Sequence, residues 1–223
     1  MLLIACLGNP EPRFAGNRHN FGFMVAHALA DSVGAGTWRT KFRGETVRCR
    51  IGDTEIMVVC PMTYMNLSGE CIQASMNFYR VPVSDLLVVH DELDLPFGTL
   101  RLKRGGGHAG HNGLRSIGQH IGELSFSRLR CGIGKPPPGF AGEVSDYVLS
   151  DFSATERAEL PEIISKAVKA LSMVARRGFD EASNTVNARS RPTKTPKPTT
   201  TQQSLERKES SKTVDDSNDA LLA

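Results

Sequence analysis

Two short apolar runs, each leading directly into polar residues, constrain the fold of this chain more than any other feature. Residues 2–8 read LLIACLG before Asn9 and Pro10, and residues 86–90 read LLVVH before Asp91. Apolar runs of this length are typical of strands that are buried in the middle of a sheet. Because open α/β sheets bind ligands beyond the carboxyl ends of their strands, the polar residues at these two points are candidates for a functional site.

The rest of the chain alternates predicted strands with predicted helices. Helical spacing of apolar residues begins near Asn20 and stops at the glycines 34 and 36, and a last helix is predicted over 154–177. The other predicted helices start at a cap, Asn66 or Ser68, and end near Arg80, or carry residues 114, 117 and 121. The other predicted strands are 45–51, 55–60, 99–103 and 128–134. This order predicts a single compact α/β domain with a mixed, mostly parallel central sheet and helices on both faces.

Composition separates the last part of the chain from the rest. The 223 residues are 39% hydrophobic and carry a formal charge of +3. Residues 185–223 hold seven of the 27 basic and five of the 24 acidic residues, so the remainder is nearly neutral. We therefore expect a folded domain over 1–187 and a disordered polar tail over 188–223, and any basic surface on the domain must be local.

The cysteines and the N-terminus predict a cytoplasmic protein. The five cysteines form no CxxC pair, and most lie in apolar or strand-like stretches, as small buried side chains do. The first apolar run is too short for a signal sequence or a membrane span. We expect a protein in a reducing compartment with no membrane association.

The polar residues of the predicted loops combine one imidazole and one carboxylate with several amides. They occur as Asn9, Asp91, the run 18–20 (RHN), Asn66 and the pair 111–112 (HN), without an evident serine or cysteine nucleophile. A neutral histidine held by a carboxylate is able to take a proton from water near neutral pH. Amide groups are able to polarise a carbonyl and to bind the oxyanion that develops on it. The residues predict an ester hydrolase that activates water, and they do not name its substrate.

The same residues lie in six blocks that resemble the bacterial peptidyl-tRNA hydrolase family. The blocks occur in the family's order and spacing over nearly all of residues 2–187. They are LGNP (7–10), RHNFGF (18–23), PMTYMNLSG (61–69), VHDELDLPFG (89–98), GGGHAGHNGL (105–114) and RLRCGIGKP (128–136). The resemblance implies an enzyme that frees tRNA from a stranded peptide, without a metal or another cofactor, and that works as a monomer.

The resemblance also implies catalytic roles. His19 matches the base that activates water, and Asp91 matches the residue that orients it. Asn9 matches the asparagine that distinguishes peptidyl-tRNA from unblocked aminoacyl-tRNA.

Other matched residues imply substrate contacts. Asn66 and Asn112 match amides that contact the terminal adenosine or the peptide backbone. Tyr64 matches an aromatic position beside the tRNA end, and Met65 matches a wall of the peptide channel. His111 is expected to support the pocket or the start of the helix that follows it.

Three residues depart from the family pattern. Phe14 stands where many members have tyrosine, so a hydroxyl contact is lost while stacking on RNA is retained. Glu11 replaces a usual glycine, and Asn17 replaces a usual threonine before the RHN run.

Positive charge is expected where the tRNA acceptor stem lies. Arg101 and Lys103 alternate onto one face of a predicted strand, and Arg128 and Arg130 do so on another. Such residues bind phosphate without reading sequence.

Two alternatives from other classes stay open at this point. The histidines at 90, 108 and 111 suggest a metallohydrolase, although their spacing fits no familiar zinc pattern. An RNA-binding module without catalysis is the second alternative, since chloroplast splicing factors of plants resemble the same family. The retained imidazole, carboxylate and amides argue against a pure binder.

Overall fold

A computed structural model describes residues 1–189, which form one seven-stranded sheet covered by helices. The strands are β1 Leu2–Cys6, β2 Arg39–Lys41, β3 Gly44–Ile51, β4 Thr54–Pro61, β5 Leu86–Glu92, β6 Leu100–Arg104 and β7 Ser127–Gly132. The α-helices are α1 Phe21–Ser32, α2 Ser68–Tyr79, α3 Asn112–Ile121, α4 Val144–Val148, α5 Ala154–Arg177 and α6 Phe179–Arg189. Short 3-10 turns lie at Pro12–Phe14, Arg18–Asn20, Met65–Leu67 and Val83–Asp85.

The sheet is mixed, with its parallel part in the centre. The strand order is β2-β3-β4-β1-β5-β7-β6, and β1 pairs in parallel with both β4 and β5. Strand β7 continues the parallel part beside β5, whereas β2, β3 and β6 add antiparallel pairings toward the two edges. The predicted fold class is confirmed, and the parallel character is confined to the four central strands.

Each face of the sheet has its own apolar core. One face of β1, with Ile4 and Cys6, packs under α1 and α5. The opposite face, with Leu3 and Ala5, packs under α2 and α3. Helices therefore cover both faces of the sheet, as the alternation of strands and helices predicts.

The structure differs from the sequence prediction in several elements. Strand β5 continues to Glu92 because β7 pairs with its end, so Asp91 lies inside the strand rather than after it. Neither Asn66 nor Ser68 caps α2, whose N-cap position is Leu67. No predicted element corresponds to β2, α4 or α6, which are short or largely polar.

The start of α1 lies directly against the ends of two central strands. A Cβ atom at Gly22 would lie 2.4 Å from the carbonyl oxygen of Leu7 and 2.8 Å from that of Val89. Only glycine permits this approach, since real Cβ contacts are never that short. The approach places the turn before α1, which carries His19, at the carboxyl ends of β1 and β5.

The structure describes all five cysteines but only the first two residues of the predicted tail. All five cysteines are free thiols, and four of them are buried. Helix α6 continues to Arg189, so the first two residues of the predicted tail are helical. Residues 190–223 lie outside the described part of the chain, and the domain boundary and the disorder of the tail remain predictions.

Candidate active site

The centre of the site is a buried imidazole and carboxylate. Nδ1 of His19 lies 2.8 Å from Oδ1 of Asp91, and the two side chains are 9% and 3% exposed. His19 comes from the 3-10 turn that precedes α1, and Asp91 comes from the end of β5. The structure therefore brings together two residues that lie 72 positions apart in sequence.

A second histidine fixes the same carboxylate oxygen. Nε2 of His111 lies 3.1 Å from Oδ1 of Asp91. Nδ1 of His111 accepts hydrogen bonds from the backbone amides of Gly113 and Leu114, which caps α3. A nitrogen that accepts carries no proton, so neutral His111 bears its proton on Nε2 and donates it to Asp91. The expectation that His111 supports the pocket and the helix start is consistent with this geometry.

The hydrogen bond to Asp91 determines where His19 carries its lone pair. Neutral His19 donates from Nδ1 and keeps the lone pair on Nε2. Within residues 1–189, no hydrogen-bond partner is present for that Nε2 atom. The atom is thus available to a water molecule or a substrate.

Burial and charge act against each other on these groups. Burial by itself lowers the pKa of His19, but the charge and hydrogen bond of Asp91 outweigh burial and raise that pKa above its ordinary value. Burial by itself raises the pKa of the Asp91 carboxyl, and its two histidine neighbours lower it well below the usual range. Asp91 therefore stays ionised and stabilises the protonated form of His19.

Asn9 is held by two partners in a fixed orientation. Its backbone amide donates to Oδ1 of Asn20 at 2.8 Å, and Nδ2 of Asn20 donates to the backbone carbonyl of Asn9 at 2.9 Å. Its side-chain Oδ1 accepts from the backbone amide of Met65 at 3.0 Å. The amide nitrogen Nδ2 of Asn9 is therefore the group that remains to donate to a ligand.

Four further predicted residues lie where the 3-10 turn Met65–Leu67 meets the start of α3. A Cβ atom at Gly113 would lie 2.6 Å from Sδ of Met65, so the buried Met65 packs against the start of α3. Tyr64 and Asn66, which flank Met65, and Asn112, which precedes Gly113, are exposed. Within the described chain, the side chains of Asn66 and Asn112 have no hydrogen-bond partner.

The loop after Asn9 carries two of the departures from the family pattern. The guanidinium of Arg13 lies 4.6 Å from the centre of the Phe14 ring, and it also pairs with Glu11 at 2.8 Å. Hydrogen bonding to Glu11 and the charge of that carboxylate raise the pKa of the Tyr64 phenol. A glycine at this position has no carboxylate with which to act on Tyr64 in this way.

The four basic residues predicted to contact RNA share one face of β6 and β7. The antiparallel register places Arg101 opposite Arg130, and Lys103 opposite Arg128. Lys103 is exposed, whereas Arg130 pairs with Glu92 at 2.8 Å and is 19% exposed. Arg128 is buried. Its guanidinium donates to three backbone carbonyls, those of Gly106, Gly107 and Leu124. Lys103 and Arg101 are therefore the members of this face that remain open to a phosphate.

A metal ion does not fit the arrangement of the central groups. His19, Asp91 and His111 place their ligand atoms within 4.8 Å of one another. A metal ligand needs a lone pair on Nε2 of His111, and the two amides that donate to Nδ1 require the proton to be on Nε2. The histidines 90 and 108 bind backbone groups through Nδ1 instead, so the trio suggested by the sequence is not the one that the described residues assemble.

Fold and site together define an α/β protein with a hydrogen-bonded imidazole and carboxylate at the carboxyl end of its central strands. The sequence profile of the family described as Peptidyl-tRNA hydrolase matches residues 3–195. The chain therefore belongs to the peptidyl-tRNA hydrolase family, and its function is peptidyl-tRNA hydrolysis.

Two relatives and one solved structure illustrate the similarity. A peptidyl-tRNA hydrolase of Sorangium cellulosum is 55% identical over 194 residues, which is 87% of each chain. One from Frankia casuarinae is 46% identical and covers 83% of this chain and 93% of its own. The crystal structure of peptidyl-tRNA hydrolase from Acinetobacter baumannii is 39% identical, covers 84% of this chain and 95% of its own, and has a TM-score of 0.78. Among residues 1–189, no helix is both long enough and apolar enough to cross a membrane.

Three residues that build the site, Arg18, Asn20 and Glu156, have no role among the sequence predictions. Asn20 holds Asn9, and Arg18 joins the turn to Glu156 by an ion pair of 2.6 Å. Asn20 and Arg18 flank His19 in the RHN run, and both are buried although they are polar. The RHN run concentrates polar residues at one place, but the burial that gives each of them a partner is seen only in the structure.

Proposed function

We propose that this chain hydrolyses the ester between a peptide and the ribose of the terminal adenosine of tRNA, with His19 as general base. The observation that supports this most is the 2.8 Å contact from Nδ1 of His19 to Asp91, which leaves Nε2 open. The raised pKa of His19 makes it a stronger base, and the ionised Asp91 stabilises the imidazolium that forms.

The reaction follows in two steps. Nε2 of His19 removes a proton from water while the water oxygen forms a bond to the ester carbonyl carbon. The tetrahedral intermediate then breaks its bond to the ribose oxygen, and that oxygen takes the proton from Nε2. The products are the peptide acid and free tRNA, and His19 returns to its neutral form without a covalent intermediate.

Asn9 accounts for selectivity toward blocked substrates. Its Oδ1 is occupied by the amide of Met65, so it presents only the Nδ2 donor to a ligand. A donor binds the carbonyl of a peptide bond or an N-acyl group, and it cannot bind an ammonium group, which is also a donor. An unblocked aminoacyl-tRNA therefore gains nothing from this contact.

The tRNA is bound around this centre. We assign Asn66, Asn112 and Tyr64 to the terminal adenosine and the peptide backbone, with Met65 as a wall of the peptide channel. Phe14 stacks beside the tRNA end. We assign the phosphates of the acceptor stem to the basic residues Arg101, Lys103 and Arg130, with Lys103 contributing most because it is exposed and Arg130 least because it pairs with Glu92.

The proposed enzyme needs no metal or cofactor, since His111 keeps its proton on the nitrogen that a metal ion requires. It acts as a monomer in the cytoplasm, where translation produces its substrate. Activity that persists in excess chelator supports this, and activity that disappears and returns with a divalent ion contradicts it.

The test is release of labelled N-acetyl-aminoacyl group from tRNA by wild type and by His19→Ala. We expect a loss of about 10²- to 10⁴-fold in kcat, the typical contribution of a general base. His27→Ala is the matched control, because His27 is an exposed histidine on α1. Hydrolysis by His19→Ala at the wild-type rate rules out the proposed base.

A further inference from the structure

Arg18 is a buried cation directly before the proposed base. Its side chain is only 8% exposed. The guanidinium donates to Oγ of Ser150 at 2.8 Å, to the carbonyl of Asp151 at 2.6 Å and to the Glu156 carboxylate at 2.6 Å. A buried charge with this many bonds fixes its surroundings, because moving it leaves a charge without a partner.

Aromatic rings complete the enclosure of this guanidinium. Its central carbon lies 4.4 Å from the centre of the Tyr147 ring and 5.3 Å from that of Phe152. Phe152 in turn packs edge to face on Phe21, the first residue of α1. The rings of Tyr147 and Phe152 therefore enclose the cation, and Phe152 connects it to the start of α1. We call the contacts that Arg18 makes with residues 147–156 the Arg18 clamp.

The backbone of the same turn is joined to the same connection. The amide of Arg18 donates to the carbonyl of Ser150 at 3.1 Å, and Asn17 forms an isolated antiparallel bridge with Asp151. The side-chain amide of Asn17 donates to the carbonyl of Leu149. Threonine, the usual residue at position 17 in the resembling family, has no side-chain NH₂ group with which to make this contact.

Glu156 connects this clamp to a long helix. Its carboxylate also accepts from the backbone amide of Ser153 at 2.7 Å, which forms half of the capping box of α5. One carboxylate oxygen thus serves both the helix start and Arg18. The apolar side of α5 packs on the sheet, so the clamp ties the turn of His19 to the core.

We propose that Arg18 is a positioning residue, which sets the distance and angle of His19 to Asp91 by fixing the turn to residues 149–156. Arg18 does not bind substrate phosphate, because Glu156 neutralises it and the rings cover it. A shift of about 1 Å in a reacting group costs on the order of 100-fold in rate. The inference rests on the proposed role of His19.

The test compares Arg18→Gln and Arg18→Lys in steady-state hydrolysis at several substrate concentrations and pH values. We expect Arg18→Gln to lower kcat about 10- to 100-fold with KM within about twofold of wild type. We also expect the apparent pKa of the rising limb to fall, because a looser Asp91 contact raises the pKa of His19 less. Arg18→Lys keeps the charge and restores part of kcat.

A control variant and a substitute variant accompany Arg18→Gln. Arg157→Gln removes an exposed arginine next to Glu156 on α5, and we expect wild-type kinetics from it. Circular dichroism at the assay temperature gives the folded fraction, so that kcat is calculated per folded molecule. If Arg18→Gln does not fold, Glu156→Gln replaces it, with an expected several-fold loss in kcat and the same fall in apparent pKa.

Unchanged kcat and apparent pKa in the folded variant overturn the inference. If His19→Ala has lost activity while Arg18→Gln keeps wild-type kcat, only the positioning role fails. If His19→Ala keeps the wild-type rate, the proposed base fails instead.

Discussion

The turn that carries His19 and the rim of the site differ in how their side chains are held. In residues 17–20, every side chain has a hydrogen-bond partner and is buried. At the rim, Asn66 and Asn112 are exposed and have no hydrogen-bond partner within the described chain. The side chains around His19 are thus fixed by the fold itself, whereas those of Asn66 and Asn112 are free to take up a partner.

Two buried histidines differ in the direction in which their pKa is shifted. Burial lowers the pKa of His90 to about 3, with a smaller contribution from His111. His19 is buried to a similar extent, and its pKa rises because its ring contacts the Asp91 carboxylate directly. His90 donates only to a backbone carbonyl, that of Asp91. Direct contact with one carboxylate therefore raises the pKa of one buried histidine, while the pKa of the other is lowered.

Removing the charge of Asp91 has the largest expected effect on this contrast. Asp91→Asn leaves His19 buried without its anion, so the pKa of His19 falls below its ordinary value of about 6.5. The rate then reaches its plateau at lower pH, and the plateau is lower by about 10²- to 10⁴-fold because the imidazolium is not stabilised. A pH profile of kcat measures both changes, and an unshifted profile with a wild-type plateau is incompatible with the account.

His111 has a smaller expected effect, divided between rate and stability. His111→Ala removes a hydrogen bond to a charged group, worth about 1.5 kcal/mol or roughly tenfold in rate. It also removes the cap of α3, at a cost of about 0.5–2 kcal/mol in the free energy of unfolding. Urea denaturation together with kcat measures the two losses.

A second variant at position 111 separates the two roles. Asparagine is a good N-cap residue but is too short to reach Asp91, so His111→Asn should recover stability and not rate. Gln119→Ala, on the exposed side of α3, serves as the control. Equal recovery of rate and stability would show that the contact with Asp91 has no part in catalysis.

Asn9→Ala is expected to change selectivity more than rate. Loss of one neutral hydrogen bond costs about 0.5–1.5 kcal/mol, or roughly 2- to 10-fold in kcat/KM for N-acetyl-aminoacyl-tRNA. The slow hydrolysis of unblocked aminoacyl-tRNA should stay the same, since that substrate does not use the donor. The ratio of the two rates measures the effect, and an unchanged ratio removes Asn9 from this role.

The basic face of β6 and β7 should give the smallest effect, because only part of it is open to a phosphate. Lys103→Gln should weaken tRNA binding a few-fold and reduce the slope of log K against log salt by about 0.7–0.9, the value for one phosphate contact. Lys166→Gln on α5 is the control, since Lys166 pairs with Glu162 within its own helix. An identical slope in the two variants would place the acceptor stem elsewhere.

The central strands and the polar residues at their ends were predictable because both are local features of the sequence. Apolar runs at 2–8 and 86–90 indicate buried strands wherever they occur. Asn9 and Asp91 then follow from the rule that ligands bind at the carboxyl edge of such sheets. Asp91 lies inside β5 because β7 pairs with that end of the strand, and such a pairing is not encoded locally.

The partners of the RHN run were not predictable from pattern. Glu156 lies 138 positions from Arg18, and only the packing of α5 brings the two together. Helix α6 was missed because Gly178, at φ 83°, interrupts the helical run after α5 and the residues that follow are mostly polar. Strand β2 has three residues, all exposed, so it lacks the alternation that marks a strand.

The most direct test of the account is the pH dependence of single-turnover hydrolysis of N-acetyl-aminoacyl-tRNA by the wild-type protein in excess chelator. A base whose pKa lies above about 6.5 is protonated at low pH, so the rate should rise with pH through one ionisation above that value and then level off. A rate that is independent of pH across this range, or that falls as pH rises, would contradict His19 as the base.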